Sequence, residues 1–463
     1  MPNPERNALE LLDDIIRDKA AHISKYVKHP GDFTRNRLLN AETTIKLTMN
    51  MQGQSLNAEL LDAYPDPDDR MTASAFTQAK DKLTSDVFVD IFNEYNETLI
   101  NPKTYDVADS YRLFAVDGSD FNPPYNPHSA YTVGYSAGRP KKDGTETKPF
   151  SQVHGNFLFD IENWSYQDCI LQPRKYMDER DAAVDMIKRL DHSYKSISVM
   201  DRGYEGFNMF ETLNRIPNCY YAIRVKQGEC SIREIKNLPD EECDIDMTFT
   251  ITMNATYYKK HKAENPHLHY VKHSAKHYKK EYSKNSHESK WDFEDMCKVK
   301  VRVCKFRIND PDTGKEEWEV LITNLNRFEF KLKDMKVLYH RRWSIETSFL
   351  ELKYALGAIQ FHSKKDEFIR MELFAHFTMF NVVSRCIKSI EVYQGEGNKH
   401  EYAIDFKMAC QIVRKLLRFH SKQPYDDYER EMIRYLVPIR DGRHDIRKVV
   451  KPKTAIWFVY RVA

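Results

Sequence analysis

Three carboxylates in this chain stand where phosphodiester chemistry would need them. Asp117 follows the short apolar run Tyr111–Val116, and Asp201 follows Ser196–Met200. The ends of buried strands are where open α/β sheets usually keep their ligand sites. Glu346 lies in KVLYHRRWSIETSFLELKYALG, from Lys336 to Gly357. That stretch reads as one helix, with apolar residues at helical spacing, no proline, and Gly357 placed to end it. Cleavage with two divalent ions needs oxygen ligands, one bridging carboxylate and ions roughly 3.5–4 Å apart. Asp117 and Asp201, on strands expected to be neighbours, could share one ion, and Glu346 could complete a second site. Each fragment alone is weak, because an aspartate after a strand is often only a turn residue or helix cap. Asp120 and Glu351 are the nearest alternatives, Asp120 expected beyond the strand end and Glu351 on the far side of the helix. No Ser/His or Cys/His constellation offers a protein nucleophile.

Winding the helix at about 100° per residue puts Tyr339, Arg342, Glu346 and Lys353 within an arc of about 60°. They border an apolar stripe of Leu338, Ile345, Phe349, Leu352 and Leu356. The plain reading is an amphipathic helix with an Arg342–Glu346 salt bridge at its edge. The order tyrosine, two residues, arginine, three residues, glutamate, six residues, lysine resembles the YREK signature of DDE transposases of bacterial insertion sequences, in the group named after insertion sequence number four. The DGS context of Asp117, the DRGYEG context of Asp201 and the stretch SAFTQAKDKL near the N-terminus resemble the same family, which the chain matches from about residue 72 through the signature helix.

The resemblance implies a cut-and-paste transposase in which Asp117, Asp201 and Glu346 are the catalytic, metal-binding residues. It implies Mg²⁺, two ions, with Mn²⁺ able to substitute. Water would nick a transposon end, the freed 3′-OH would attack the opposite strand to give a hairpin, and the reopened end would join target DNA. Tyr339, Arg342 and Lys353 would grip the DNA backbone, with Arg224 and Lys226 as further DNA-binding candidates. Trp318 would stack on a base flipped out of the hairpin, with Trp291 in reserve. The partners implied are double-stranded DNA, as inverted-repeat ends and target, and a second copy of the chain in a homodimer. The implied location is the bacterial cytoplasm at the nucleoid. Two other readings use the same residues: a retired transposase that binds DNA without cutting, and a stand-alone ribonuclease-H-like nuclease.

The elements that must position these residues read as an α/β fold. Strands at 111–116, 150–160 and 164–171, a helix at about 178–191, a strand at 196–200, a helix near 207–214 and a strand at 220–225 follow the order of a ribonuclease-H-like core. The expected organisation is an N-terminal helical DNA-binding domain (1–105), the first part of the core (106–226), a β-rich insertion (227–332), the second part with the signature helix (333–395) and a basic C-terminal region (396–463). N-terminal helices are expected after Asn40, Ser55, Thr72 and Ser85, each able to cap free N–H groups. Arg35, Arg37, Lys46, Lys80 and Lys82 on or beside them suit DNA docking; the residues alone suit a plain helical packing domain at least as well, and the resemblance of SAFTQAKDKL favours DNA binding. A helix at 370–387 should back the sheet.

Composition sets the bounds. The chain has 463 residues, 41% hydrophobic and 30% charged, and Lys+Arg 71 against Asp+Glu 69 leaves a net charge of +2. Bulk charge therefore does not announce a nucleic-acid partner, and the argument rests on where charges lie. The tract from Thr256 to Lys290 carries nine Lys, six His, five Tyr and three Glu, which suits either a solvated loop or a basic surface with rings for bases. No Cys or His pair there has metal-ligand spacing, so zinc is not expected. From Arg434 to Ala463 there are eight Lys/Arg against two acids, fit for a DNA arm or a docking tail. Eight cysteines without a CxxC pair read as free thiols of a reducing compartment. No window approaches a transmembrane span and no leader is evident at the N-terminus, so a soluble protein is expected.

Overall fold

The computed structural model describes residues 7–35, 37–99, 103–104, 110–133, 149–226, 232–271, 291–309, 316–395, 397–418 and 428–439. The basic tail beyond residue 439 and most of the lysine-rich tract, 272–290, lie outside them.

The N-terminal part is helical: α1 (Ala8–Ala21), α2 (Ala41–Asn50), α3 (Leu56–Ala63), α4 (Ala73–Lys80) and α5 (Asp86–Glu97). Side-chain oxygens of Asn40, Ser55 and Thr72 accept N–H groups three residues on, as expected of caps. Ser85, expected as a cap, makes no side-chain cap bond; its own N–H donates to Glu367, far along the chain. Of the cations expected on these helices to face DNA, two are buried in internal pairs. Lys46 is held by Asp13 and Glu42, and Lys80 Nζ lies 2.7 Å from Glu372. A lysine in a low-dielectric setting needs a partner to stay charged, so these two serve the core rather than the surface. Arg35 and Arg37 are exposed.

A nine-stranded mixed sheet follows, with strands in the order β5-β4-β1-β6-β7-β11-β10-β8-β9. Its first part is β1 (Tyr111–Phe121), β4 (Val153–Asp160), β5 (Ser165–Pro173), β6 (Lys195–Met200) and β7 (Cys219–Val225), with β2 (Thr132–Val133) and β3 (Phe150–Ser151) forming a small separate ribbon. Helices α6 (Glu179–Lys188) and α7 (Phe207–Asn214) connect β5 to β6 and β6 to β7. β4 runs antiparallel to β1 and β5, while β1, β6 and β7 run parallel. This mixed α/β architecture is consistent with a ribonuclease-H-like core.

The insertion does not build a sheet of its own. After α8 (Arg233–Lys236), β8 (Cys243–Thr252), α9 (Ala255–His261), β9 (Leu268–Tyr270), β10 (Cys297–Asn309) and β11 (Glu316–Thr323) extend the central sheet. β11 pairs antiparallel with β7, Val320 opposite Val225 through Thr323 opposite Ala222. An uncovered β7 would leave a row of backbone groups unpaired, and β11 satisfies them.

Alternation along the strands feeds two cores. Leu113, Ala115, Val199 and Leu321 face a layer containing α1, α5 and α12 (Asp366–Lys388), while Phe114, Val116, Met200 and Ile322 face α6 and α7. α12 is the backing helix expected from the sequence, and it packs on α5 through edge-on contacts such as Phe92–Phe374. The described chain closes with β12 (Tyr402–Ile404), α13 (Phe406–Leu417), α14 (Tyr428–Met432) and β13 (Leu436–Pro438). Among the described residues no helix is long and apolar enough to cross a membrane.

The stretch expected as one helix is three pieces. α10 (Leu332–His340) ends in a tight turn at Arg341–Arg342, α11 (Trp343–Leu350) begins anew, and Glu351–Ala355 form a π-helical turn. At the first break the bonds span three residues, Arg342 N–H to Tyr339 O at 3.0 Å and Ile345 N–H to Arg342 O at 3.2 Å. At the second, Leu356 N–H reaches back five residues to Glu351 O at 3.1 Å. Gly357, at φ +80°, ends the run as its type predicts.

Candidate active site

Sheet register brings the two aspartates together. The parallel pairing of β1 with β6 ends at Val116 opposite Met200, so Asp117 and Asp201 are the next residues on neighbouring strands. β1 does not stop there. It continues to Phe121 against β4, which places Asp117 inside a strand and fixes its backbone. Asp120, expected beyond the strand end, is also within it.

Both aspartates hold their own turns. Asp117 Oδ1 accepts the Gly118 N–H at 2.8 Å, and Asp201 Oδ1 accepts the Gly203 N–H at 2.7 Å, opening the short helical turn Arg202–Tyr204. Glu346 comes from the first turn of α11. Arg342, only 6% exposed, links the set: its guanidinium donates to Glu346 at 2.8 Å and lies 3.5 Å from Asp117 Oδ2. Burial pushes the Asp117 carboxyl up to about 7; Arg342 and the Gly118 N–H pull against this, and Asp201 and Glu346 add to the rise. Burial works against the charge on Arg342, but Tyr339, Glu346 and Asp117 hold it.

The other signature residues surround this point. Tyr339 is 3% exposed, its hydroxyl has no hydrogen-bond partner among the described residues, and burial raises its pKa well above the ordinary phenol. Lys353 Nζ stands 5.2 Å over the Phe121 ring, with its pKa lowered by burial and supported by Asp120. Glu351, expected to face away, is turned inward: it accepts the Trp164 indole N–H at 3.0 Å, and burial pushes it up to about 7. Asp120 is engaged by His154 and Arg174, both at 2.8 Å.

The insertion's candidates divide. The N-terminal end of β11 lies at the carboxylate end of the sheet, because β11 runs antiparallel to β7. There Glu319, which the sequence reading passed over, is 5% exposed and lies 3.3 Å from Arg224 Nε. Burial raises its pKa while Arg224, Arg342 and Lys336 oppose the rise. Arg224 is thus tied to a buried acid, whereas Lys226 is exposed. Trp318 alternates with Glu319 and so points to the opposite sheet face. Its indole donates to Asp240 at 2.6 Å, with Lys305 and Arg307 over its ring at 4.4 and 4.5 Å. Trp291, the reserve choice, is 0% exposed and sits in the α7-side core, donating to Glu294 O, so it cannot meet a base in this structure.

The donor set can be tested against a metal. Among the described residues no three His, Cys, Asp or Glu side chains converge as a ready-made cage. The chemistry nonetheless suits a hard divalent cation, since all three groups are carboxylates. A half-buried Asp117 whose carboxyl is pushed up beside two like charges would be relieved by one. The sequence reading also missed His154, Glu179 and Tyr204, which adjoin the aspartates; Tyr204 and its DRGYEG context were visible, but nothing local gave them a task.

Comparison with known proteins bears on this arrangement. No match was found among curated proteins. A solved structure, the cryo-EM structure of the piggyBac transposase synaptic complex with hairpin DNA, is similar at 10% identity and a TM-score of 0.44, over 92% of this chain and 82% of that one. The family described as "Transposase DDE domain" matches residues 108–382. That span is more than half of the chain and contains Asp117 of β1, Asp201 just after β6 and Glu346 of α11, so this protein belongs to the DDE transposase family.

Proposed function

We propose that this chain is a cut-and-paste transposase of the YREK group. In this reading it cleaves double-stranded DNA at the inverted-repeat ends of an insertion sequence, passes through a hairpin and transfers the freed strand to target DNA, as a homodimer. The observation that carries the reading is that Arg342 bridges Asp117 and Glu346, while sheet register sets Asp201 beside Asp117 at the end of the neighbouring strand.

DDE transposases generally use divalent metals, and here Mg²⁺ would be held by Asp117, Asp201 and Glu346. When bound, such an ion lowers the pKa of water and stabilises charge on the phosphate. The chain's own residues do the rest. The Gly118 and Gly203 N–H groups orient the aspartates. Arg342 contacts Glu346 and Asp117 in this structure, and its planar set of donors suits paired contact with a backbone phosphate. Lys353 and Tyr339 line the same approach. Arg224 and Lys226 extend the contact toward β11, and Trp318 supplies the ring for an extruded base.

The test is strand cleavage of labelled end DNA by Asp117→Asn, Asp201→Asn and Glu346→Gln. Each should reduce Mg²⁺-dependent nicking to background while leaving end binding in place. Retained cleavage in Glu346→Gln with loss in Glu351→Gln would overturn the helix assignment. Absence of nicking by the native chain on its own flanking ends would favour the retired-transposase reading.

A further inference from the structure

A fourth carboxylate approaches the aspartates from the other side of the sheet. Glu179 opens α6, whose start is fixed by Asp178, with Oδ1 accepting the Asp181 N–H at 3.2 Å. Its carboxylate lies over two glycines, one after each aspartate. A Cβ added to Gly118 would stand 3.1 Å from Glu179 Oε1, and one added to Gly203 would stand 3.9 Å from Oε2. Any side chain at Gly118 would also strike the imidazole of His154, at 2.6 Å. The neighbouring Arg180 donates to Gly203 O at 2.9 Å, tying the start of α6 to the turn that Asp201 begins.

His154 holds the other side of this carboxylate. It is 5% exposed, with Nδ1 bonded to Asp120 at 2.8 Å and Nε2 3.1 Å from Glu179 Oε1. Arg174 secures Asp120 from the far side, at 2.8 Å. Burial works against a charge on His154, while its two carboxylate partners raise its pKa to about 9. An independent feature marks the space between. Tyr204 is 1% exposed, its hydroxyl has no hydrogen-bond partner among the described residues, and it feels the charges of Asp117, Glu179 and Asp201 together. A buried phenol hydroxyl left unpartnered within the field of three carboxylates calls for a ligand or water to satisfy it.

We infer that Glu179 is a fourth carboxylate of the active site, acting with Asp117 and Asp201 on a divalent cation, and that His154 is the positioning residue that fixes it there. This rests on the reading of Asp117, Asp201 and Glu346 given above. The two glycines have a physical role in it: they leave room for a carboxylate to pass around the end of β6.

Binding of Mn²⁺ to the full chain without DNA, followed by electron paramagnetic resonance, tests the inference apart from activity. Glu179→Gln should weaken Mn²⁺ binding by about tenfold or more, and His154→Gln should weaken it by a smaller factor in the same direction. Glu179→Asp, which keeps the charge but shortens the reach, should fall between native and Glu179→Gln; it also serves if the glutamine variant fails to fold, as judged by circular dichroism. Native Mn²⁺ affinity in Glu179→Gln, alongside lost binding in Asp201→Asn, would overturn the role of Glu179 and leave the triad standing. Unchanged binding in Asp201→Asn and Glu346→Gln as well would overturn both.

Discussion

At the scale of single residues, Arg342 is the most informative side chain. A guanidinium has several donors in one plane, which lets it contact Glu346 and Asp117 at once, at 2.8 and 3.5 Å. An ammonium at the end of a lysine is a single point and cannot span both. Arg342→Ala should therefore weaken binding to end DNA and flatten its salt dependence by about 0.9 in log–log slope, the share of one phosphate contact. Arg342→Lys should restore the slope but not cleavage. Fluorescence anisotropy across a salt series checks the first point and a nicking assay the second. An unchanged slope in Arg342→Ala would remove the phosphate role.

At the scale of elements, the breaks around α11 matter as much as its residues. A straight helix would carry Tyr339 through Lys353 along one edge, whereas the turn at Arg341–Arg342 and the π-turn at Glu351–Ala355 re-aim each segment. The π-turn brings Glu351 onto Trp164 and leaves Lys353 over Phe121, near Asp120. β11 divides its work by alternation, Glu319 toward Arg342 and Trp318 toward the other face. Trp318→Ala should spare the first nick, which needs no flipped base. It should slow hairpin formation about tenfold if ~1.4 kcal/mol of stacking is confined to that step. A time course resolving nick, hairpin and double-strand break on a denaturing gel decides the matter, and hairpins at the native rate would remove Trp318 from the mechanism.

At the scale of the whole molecule, the N-terminal helices and the catalytic sheet share one core, so they are not separable layers. Lys80 on α4 pairs with Glu372 on α12, and His362 contacts both Glu372 and Glu59 of α3. Burial would raise the Glu372 pKa, but Lys80 and His362 hold it well below the usual carboxylate range. Lys80→Met would leave that charge buried without its cation and should cost roughly 3–5 kcal/mol by denaturant unfolding. Next to it, burial lowers the His376 pKa to about 3, so the folded state keeps it neutral while the unfolded chain protonates it near pH 6.5. The unfolded state then binds more protons between those values, and stability falls as pH drops through the window. Read as the difference between the native protein and His376→Gln in denaturant unfolding, this contribution should shrink by about 1.6 kcal/mol from pH 6.5 to 5. His376→Gln should lack most of that slope; an equal slope in both proteins would assign the acid lability elsewhere.

The residues of the candidate site were legible in the sequence because they stand out by type and local spacing. Aspartates after buried runs, a glutamate at a fixed step from an arginine, and the order of strands and helices are all properties of short segments. The structure agrees on those elements, including α6, α12, and the caps at Asn40, Ser55 and Thr72. What the segments could not specify is which distant groups meet. That Lys46 and Lys80 face acids rather than solvent, that β11 closes the edge of β7, and that His154 of β4 meets Glu179 of α6 are outcomes of packing between residues far apart in the chain. The helix around Glu346 shows the same division. Its composition favours a helix, and only contacts such as Glu351 with Trp164 decided where that helix bends.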